Sequence, residues 1–166
     1  MNIKFDGNTM TLDGKTINVG DKAPLFVATR NDLSEFRLED ELGKVLVLSV
    51  VPSIDTGVCS IQASTFNEEA AKLSDDIKIV TISLDLPFAQ KRFCAAKGID
   101  KAEIVSDYKD REFGEKYGFL IDELKLLTRG IVIIDKEGVV SYVEYVPEVT
   151  DEVNFEKALE EAKKLV

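Results

Sequence analysis

The sequence contains no histidine, and only two of its 166 residues are cysteine. The absence of histidine excludes Ser-His-Asp and Cys-His nucleophile pairs, as well as every metal site that uses imidazole. Two isolated cysteines cannot complete a structural zinc site by themselves. No Gly-x-Gly-x-x-Gly sequence occurs, so a dinucleotide site has no support. If the chain is an enzyme, its chemistry rests on cysteine, carboxylate, lysine, arginine or hydroxyl groups.

Long apolar runs and concentrated positive charge are also missing. The longest apolar run, residues 45–51, is far shorter than the roughly 20 residues that a membrane span needs. The chain has 21 basic and 31 acidic residues, a net charge of −10, and its basic residues are scattered. Nucleic acids and anionic lipids require clustered Lys and Arg. Because residues 1–7 also lack the apolar segment of a signal peptide, we expect a cytoplasmic protein that binds neither nucleic acid nor membrane.

What the chain does contain is an alternation of strand and helix patterns. Residues 1–19, with turns at Asp6-Gly7-Asn8 and Asp13-Gly14, predict an N-terminal β-hairpin extension. Later segments predict strands at 25–29, 45–51, 77–84, 103–105, 131–134 and 139–146, and helices at 57–73, 88–97, 110–117 and 153–166. This order predicts an α/β fold, best matched by a thioredoxin-like mixed sheet flanked by helices. The length and the absence of a linker predict one domain over residues 1–166.

Cys59 lies where a cysteine can become reactive. It follows the strand 45–51 and falls in the first turn of a helix for which Thr56 is a good N-cap. Free backbone N–H groups and the positive end of the helix dipole favour a thiolate there. Pro52 holds the intervening loop and removes a competing donor, and the Thr56 hydroxyl can bond the sulfur or a bound oxygen. The alternative is an inert, buried cysteine, which is what most free cysteines are.

The second cysteine, Cys94, lies 35 positions later in the helix predicted over 88–97. This spacing excludes a Cys-x-x-Cys pair. Cys94 is therefore either a residue packed within its helix or the thiol that resolves oxidised Cys59. A disulfide needs Cα atoms within about 7 Å of each other, so in the second case we expect the helix to loosen during turnover.

Two segments resemble the thiol peroxidase branch of the peroxiredoxin family. Residues 52–59, Pro-Ser-Ile-Asp-Thr-Gly-Val-Cys, match that family's Pro-x-x-x-Thr-x-x-Cys motif at every defining position. Residues 85–94, Asp-Leu-Pro-Phe-Ala-Gln-Lys-Arg-Phe-Cys, resemble the resolving-cysteine helix of the branch. The N-terminal hairpin and residues 20–24 also fit, so the resemblance extends over nearly the whole chain.

The resemblance implies an atypical 2-Cys peroxiredoxin. Such an enzyme reduces hydrogen peroxide and organic hydroperoxides through a cysteine sulfenic acid and an intramolecular disulfide, is recycled by thioredoxin, and is a homodimer. Carried onto this sequence, the resemblance implies that Cys59 is the peroxidatic and Cys94 the resolving cysteine. It further implies that Thr56 and Pro52 shape the peroxide pocket and that Arg129 is the active-site arginine. No metal or organic cofactor is expected.

Three alternatives remain open at this point. Arg129 could instead be an exposed loop cation, as most unpaired arginines are. The protein could be a general dithiol-disulfide oxidoreductase, which would share the fold but usually needs Cys-x-x-Cys. It could also be a non-catalytic, thioredoxin-fold binding protein with two buried cysteines.

Overall fold

The computed structural model describes all 166 residues, which form eleven strands and five helices. The strands are β1 (Asn2–Phe5), β2 (Asn8–Asp13), β3 (Val27–Arg30), β4 (Glu35–Arg37), β5 (Val45–Val50), β6 (Ile77–Ser83), β7 (Glu103–Ser106), β8 (Leu120–Ile121), β9 (Leu126–Leu127), β10 (Gly130–Ile134) and β11 (Val140–Tyr145). The helices are α1 (Leu38–Glu41), α2 (Gly57–Ala70), α3 (Pro87–Lys97), α4 (Glu112–Tyr117) and α5 (Phe155–Lys163). None of the helices is both long enough and apolar enough to cross a bilayer.

Seven strands form a mixed sheet in the order β11-β10-β5-β6-β7-β3-β4. The central strands β5, β6 and β7 are parallel, and β10 and β3 add to them in the antiparallel direction. Because β5 and β6 run side by side in the same direction, the loops that follow them leave the same edge of the sheet. The loop before α2 and the loop before α3 are therefore neighbours, although some 30 residues separate them in sequence.

Helices cover both faces of this sheet, as the alternation along β5 shows. Leu46 and Leu48 lie in one apolar cluster, together with Phe113 of α4. Val47 lies in the opposite cluster, where it meets Phe66 of α2 and side chains of α5. Successive residues of a strand point to opposite faces, so the continuous apolar run that defines β5 is what a strand buried on both sides requires.

A second, smaller sheet in the order β1-β2-β8-β9 contains the N-terminal hairpin. The hairpin is tied to the segment after β11, where the Lys4 N–H donates to the Pro147 carbonyl and the Val149 N–H donates to the Lys4 carbonyl. The apolar contacts of Ile3 and Val149 complete this attachment. The N-terminal residues thus fix the position of Val149, whose carbonyl oxygen forms part of the site described below.

The predicted α/β class, the thioredoxin-like mixed sheet with helices on both faces and the N-terminal hairpin are confirmed. The hairpin strands end at Asp13, however, and residues 15–18 form no strand. The one-turn helix α1 and the two-residue strands β8 and β9 were not predicted, because elements this short carry no periodic pattern.

Candidate active site

Cys59 lies in the first turn of α2, in the place that the sequence predicted. Thr56 is the N-cap of the helix, with extended backbone angles (φ −88°, ψ 150°), and its Oγ1 accepts a hydrogen bond from the Cys59 N–H at 3.2 Å. The hydroxyl is therefore engaged with the backbone of Cys59 rather than with its sulfur. Pro52 is buried between the end of β5 and this loop, and the Cys59 side chain is fully buried.

Arg129 immediately precedes β10 and points its guanidinium into the same site. Its Nη2 donates to the Cys59 Sγ at 2.9 Å, and its Nε donates to the Val149 carbonyl at 2.7 Å. Only 2% of the residue is exposed. The alternative that Arg129 is an exposed loop cation is therefore wrong.

The third nitrogen of this guanidinium is held by a residue that the sequence reasoning missed. Arg129 Nη1 donates to Gln62 Oε1 at 2.9 Å, and Gln62 Nε2 in turn donates to the Ser49 hydroxyl of β5 at 2.8 Å. Gln62 lies three residues after Cys59, so the two side chains share one face of α2. This spacing is the signal of Gln62 in the sequence, and it does not reveal the contact with Arg129.

These contacts favour negative charge on the Cys59 sulfur. The other two partners of Arg129 are a backbone carbonyl and a side-chain amide, both neutral, so the sulfur is the one contact that can neutralise the guanidinium. Burial by itself disfavours a charged sulfur, but it also strengthens the attraction to the guanidinium, since charges interact more strongly away from water. The first-turn position adds the favourable field of the helix N-terminus. A cationic partner and a helix N-terminus are both features of sites in which cysteine acts as a nucleophile.

Cys94 has a contrasting environment in α3. It is half-buried, and its sulfur accepts a hydrogen bond from Asn31 Nδ2 at 3.8 Å. Its carbonyl oxygen accepts the N–H groups of Gly98 and Ile99, so the residue lies in the last turn of the helix, at the negative end of the dipole. Burial raises the pKa of the Cys94 thiol, and the contact with Asn31 partly opposes that shift. Cys94 thus has neither the cationic partner nor the position at a helix N-terminus that Cys59 has.

Both cysteines are free thiols, so the structure represents the reduced protein. Cys94 packs against an apolar cluster that includes Ile54 from the loop before α2, Ala63 from α2 and Phe93 from α3. The structure contains no group of three or more cysteine, aspartate or glutamate side chains that could hold a metal ion.

Comparisons with known proteins identify the family of the chain. The family model described as Redoxin matches residues 18–159. The chain belongs to the redoxin family. It is 53% identical over 161 residues to a thiol peroxidase of Halalkalibacterium halodurans, covering 97% of this chain and 96% of the relative. It is also 53% identical over 164 residues to a thiol peroxidase of Bacillus subtilis, covering 99% and 98%. A solved structure of a peroxiredoxin-like protein from Aquifex aeolicus superposes with a TM-score of 0.92 at 39% identity, covering 99% of this chain and 97% of that one.

Similarity of this degree over the full length shows that this redoxin is a thiol-dependent peroxidase, as the resemblance of its motifs implied. The prediction of an enzyme is therefore confirmed.

Two polar side chains fix the ends of the redoxin's helix α3. Buried Gln90, near its start, donates to the Ser83 hydroxyl at 3.0 Å and to the Val105 carbonyl at 2.9 Å. Asn67 of α2 holds the loop beyond its end, since Asn67 Oδ1 accepts the N–H groups of residues 100–102 at 3.2, 2.7 and 3.0 Å. Hydrogen bonds of Gln90 and Asn67 therefore hold the chain on both sides of the part of α3 that contains Cys94.

Replacing Thr56 with valine should lower the free energy of unfolding by about 1 kcal/mol, because the Cys59 N–H loses its acceptor at the helix N-terminus. Urea denaturation of the redoxin followed by far-UV circular dichroism measures the change. Thr56→Ser keeps the hydroxyl and serves as the control. Equal midpoints for the valine and serine variants would contradict the capping role.

Proposed function

We propose that the chain reduces hydrogen peroxide and organic hydroperoxides at Cys59, that Cys94 resolves the product, and that thioredoxin restores both thiols. The observation that carries the proposal is the contact of 2.9 Å between Arg129 Nη2 and the Cys59 sulfur inside a buried site. It joins the two groups that peroxide reduction needs, a nucleophilic sulfur and a fixed positive charge beside it.

In the first step, the Cys59 thiolate attacks one peroxide oxygen and the O–O bond breaks. The sulfur becomes a sulfenic acid, and the other oxygen leaves as water or an alcohol after taking up a proton. The developing negative charge on the leaving oxygen is stabilised by Arg129, and the Thr56 hydroxyl, held at the N-terminus of α2, contacts the bound peroxide. Pro52 forms a wall of the peroxide pocket. The fixed positions of Arg129 and Thr56 support these roles, because preorganised donors cost no rearrangement during the reaction.

In the second step, the Cys94 sulfur attacks the sulfenic sulfur of Cys59. A disulfide forms, the S–O bond breaks, and the oxygen leaves as water. Because Cys94 lies in the intact last turn of α3 in the reduced protein, we propose that the C-terminal half of this helix unwinds to bring the two sulfurs together. A dithiol reductant then exchanges with this disulfide.

The remaining parts of the proposal concern the cell and the assembly. Thioredoxin is the proposed reductant because thiol peroxidases are relatives over the full length of the chain. We further propose a homodimer, a single domain over residues 1–166 and a cytoplasmic location. No metal or organic cofactor enters either step.

One equivalent of hydroperoxide tests the proposed function. The expected result is rapid loss of both thiols and a Cys59–Cys94 linkage, found by mass spectrometry of the digested protein. Slow loss of the thiols would favour a general dithiol-disulfide oxidoreductase. An unchanged thiol count would favour a non-catalytic binding protein.

A further inference from the structure

Asp85, the first residue of the segment that contains Cys94, forms hydrogen bonds with the loop before Cys59. Its Oδ1 accepts the Ser53 hydroxyl at 2.8 Å, and its Oδ2 accepts the Ile54 N–H at 2.9 Å. The two loop residues lie between Pro52 and Thr56, the two motif residues assigned to the peroxide pocket. Asp85 itself follows β6, whose end neighbours that of β5 in the parallel sheet, so the contact joins segments about 30 residues apart.

The position of the carboxylate is fixed from its own side of the contact. Ser83 at the end of β6 donates its hydroxyl to Asp85 Oδ2 at 2.7 Å. The Asp85 carbonyl accepts the Ser106 hydroxyl of β7 at 2.5 Å. The loop is thus attached through Asp85 to two central strands of the sheet, β6 and β7.

A carboxylate is the side chain that this arrangement requires. Three donors converge on it: the hydroxyls of Ser53 and Ser83 and the backbone N–H of Ile54. An ionised carboxylate accepts hydrogen bonds at both oxygens, whereas an amide of the same shape offers a single acceptor oxygen. A negative charge near the start of α2 opposes a thiolate at Cys59, so electrostatics alone would favour a neutral residue. The carboxylate of Asp85 is useful here because it holds the loop.

We propose that Asp85 is a positioning residue for the reaction of Cys59 with peroxide. By fixing Ser53 and Ile54, it sets where Thr56 and Pro52 stand relative to the sulfur, and hence how the two peroxide oxygens are aligned for attack. Small displacements of aligned groups can cost up to about 100-fold in rate. This inference rests on the proposed function of Cys59.

The test compares two reactions of the same sulfur. In a Cys94→Ser background, loss of the remaining thiol reports on Cys59 alone, and its rate is measured with hydrogen peroxide and with iodoacetamide. Peroxide needs aligned oxygens, whereas alkylation needs the thiolate and access to the buried sulfur. The ratio therefore supports the positioning role only where the rate with peroxide itself falls. We expect Asp85→Ala to lower the ratio of the peroxide rate to the iodoacetamide rate about tenfold. Asp85→Asn should lower this ratio less, because the amide oxygen can still accept one of the hydrogen bonds from the loop.

Asp32→Ala is the matched control, since Asp32 accepts a backbone N–H and a hydroxyl from Ser34 in another loop. Its ratio should equal that of the parent. An unchanged ratio in Asp85→Ala, whether both rates stay the same or both fall by the same factor, overturns the positioning role. If circular dichroism shows that Asp85→Ala is unfolded, Ser53→Ala decides by the same criterion. A parent protein whose Cys59 reacts with peroxide no faster than free cysteine overturns the proposed function, and this inference with it.

Discussion

Cys59→Ser should reduce peroxide turnover to background, whereas Cys94→Ser should abolish only the second half of the cycle. A serine hydroxyl is not ionised beside Arg129 and cannot form a sulfenic acid, so no step of the proposed reaction remains. Cys94→Ser retains the buried sulfur and its guanidinium contact. It should therefore consume one equivalent of peroxide and stop at the sulfenic acid.

Stopped-flow measurement of peroxide consumption distinguishes the two variants, and a dimedone-type probe with mass spectrometry detects the sulfenic acid in Cys94→Ser. Full turnover by Cys59→Ser would eliminate Cys59 as the nucleophile. Continued turnover with thioredoxin in Cys94→Ser would eliminate Cys94 as the required resolving thiol, while leaving the first step intact.

Arg129→Lys should slow sulfenic acid formation by about 100-fold, although the substitution keeps the positive charge. The guanidinium reaches three partners at once, namely the Cys59 sulfur, Gln62 and the Val149 carbonyl. An ammonium is a single point of charge without this fork, so it cannot keep the sulfur contact and both anchoring contacts together. Loss of one preorganised donor to a developing negative charge costs on the order of 100- to 1,000-fold.

The second-order rate constant with hydrogen peroxide, measured in single turnover, tests this expectation. Arg37→Lys is a suitable control, because Arg37 is a partly exposed arginine that pairs with Glu35 and Glu39 far from the site in sequence. Retention of the full rate by Arg129→Lys would show that a positive charge alone is sufficient and that the three-point attachment of the guanidinium is not required.

Local signals explain what could be predicted from the sequence. Thr56 as N-cap placed Cys59 in the first helical turn. The helix predicted over 88–97 agrees with α3, which begins at a proline, Pro87, and is capped by a glycine, Gly98. These signals act within a few residues, where side chain and backbone chemistry decide the structure directly. The mixed sheet followed in turn from the order of the elements and from apolar runs such as that of β5.

The contacts that complete the site could not be found in this way. Arg129 was assigned through a resemblance, and its burial became visible only when β10 was placed beside β5. Gln62 had a helical spacing to Cys59 but no signal of its partner 67 positions away. Asp85 contacts the loop before Cys59, and Asn31 contacts the Cys94 sulfur. In both cases the two segments come together only in the folded sheet. Hydrogen bonds between distant segments leave no periodic trace in a sequence.

The attachments of Gln90 and Asn67 have a consequence for the speed of the catalytic cycle. With both ends of α3 held, the proposed unwinding involves a short chain, residues 91–97, whose termini stay in place. The entropy that this segment gains on opening, and must lose again on closing, is therefore small compared with that of a free chain end. Short loops close in about 10–100 ns and helical segments re-form within about 1 μs. The return of α3 to its helical form after reduction of the disulfide should therefore be fast. Its opening must first separate Phe93 and Cys94 from the cluster around Ile54, and so belongs to the slower μs-to-s range of local unfolding.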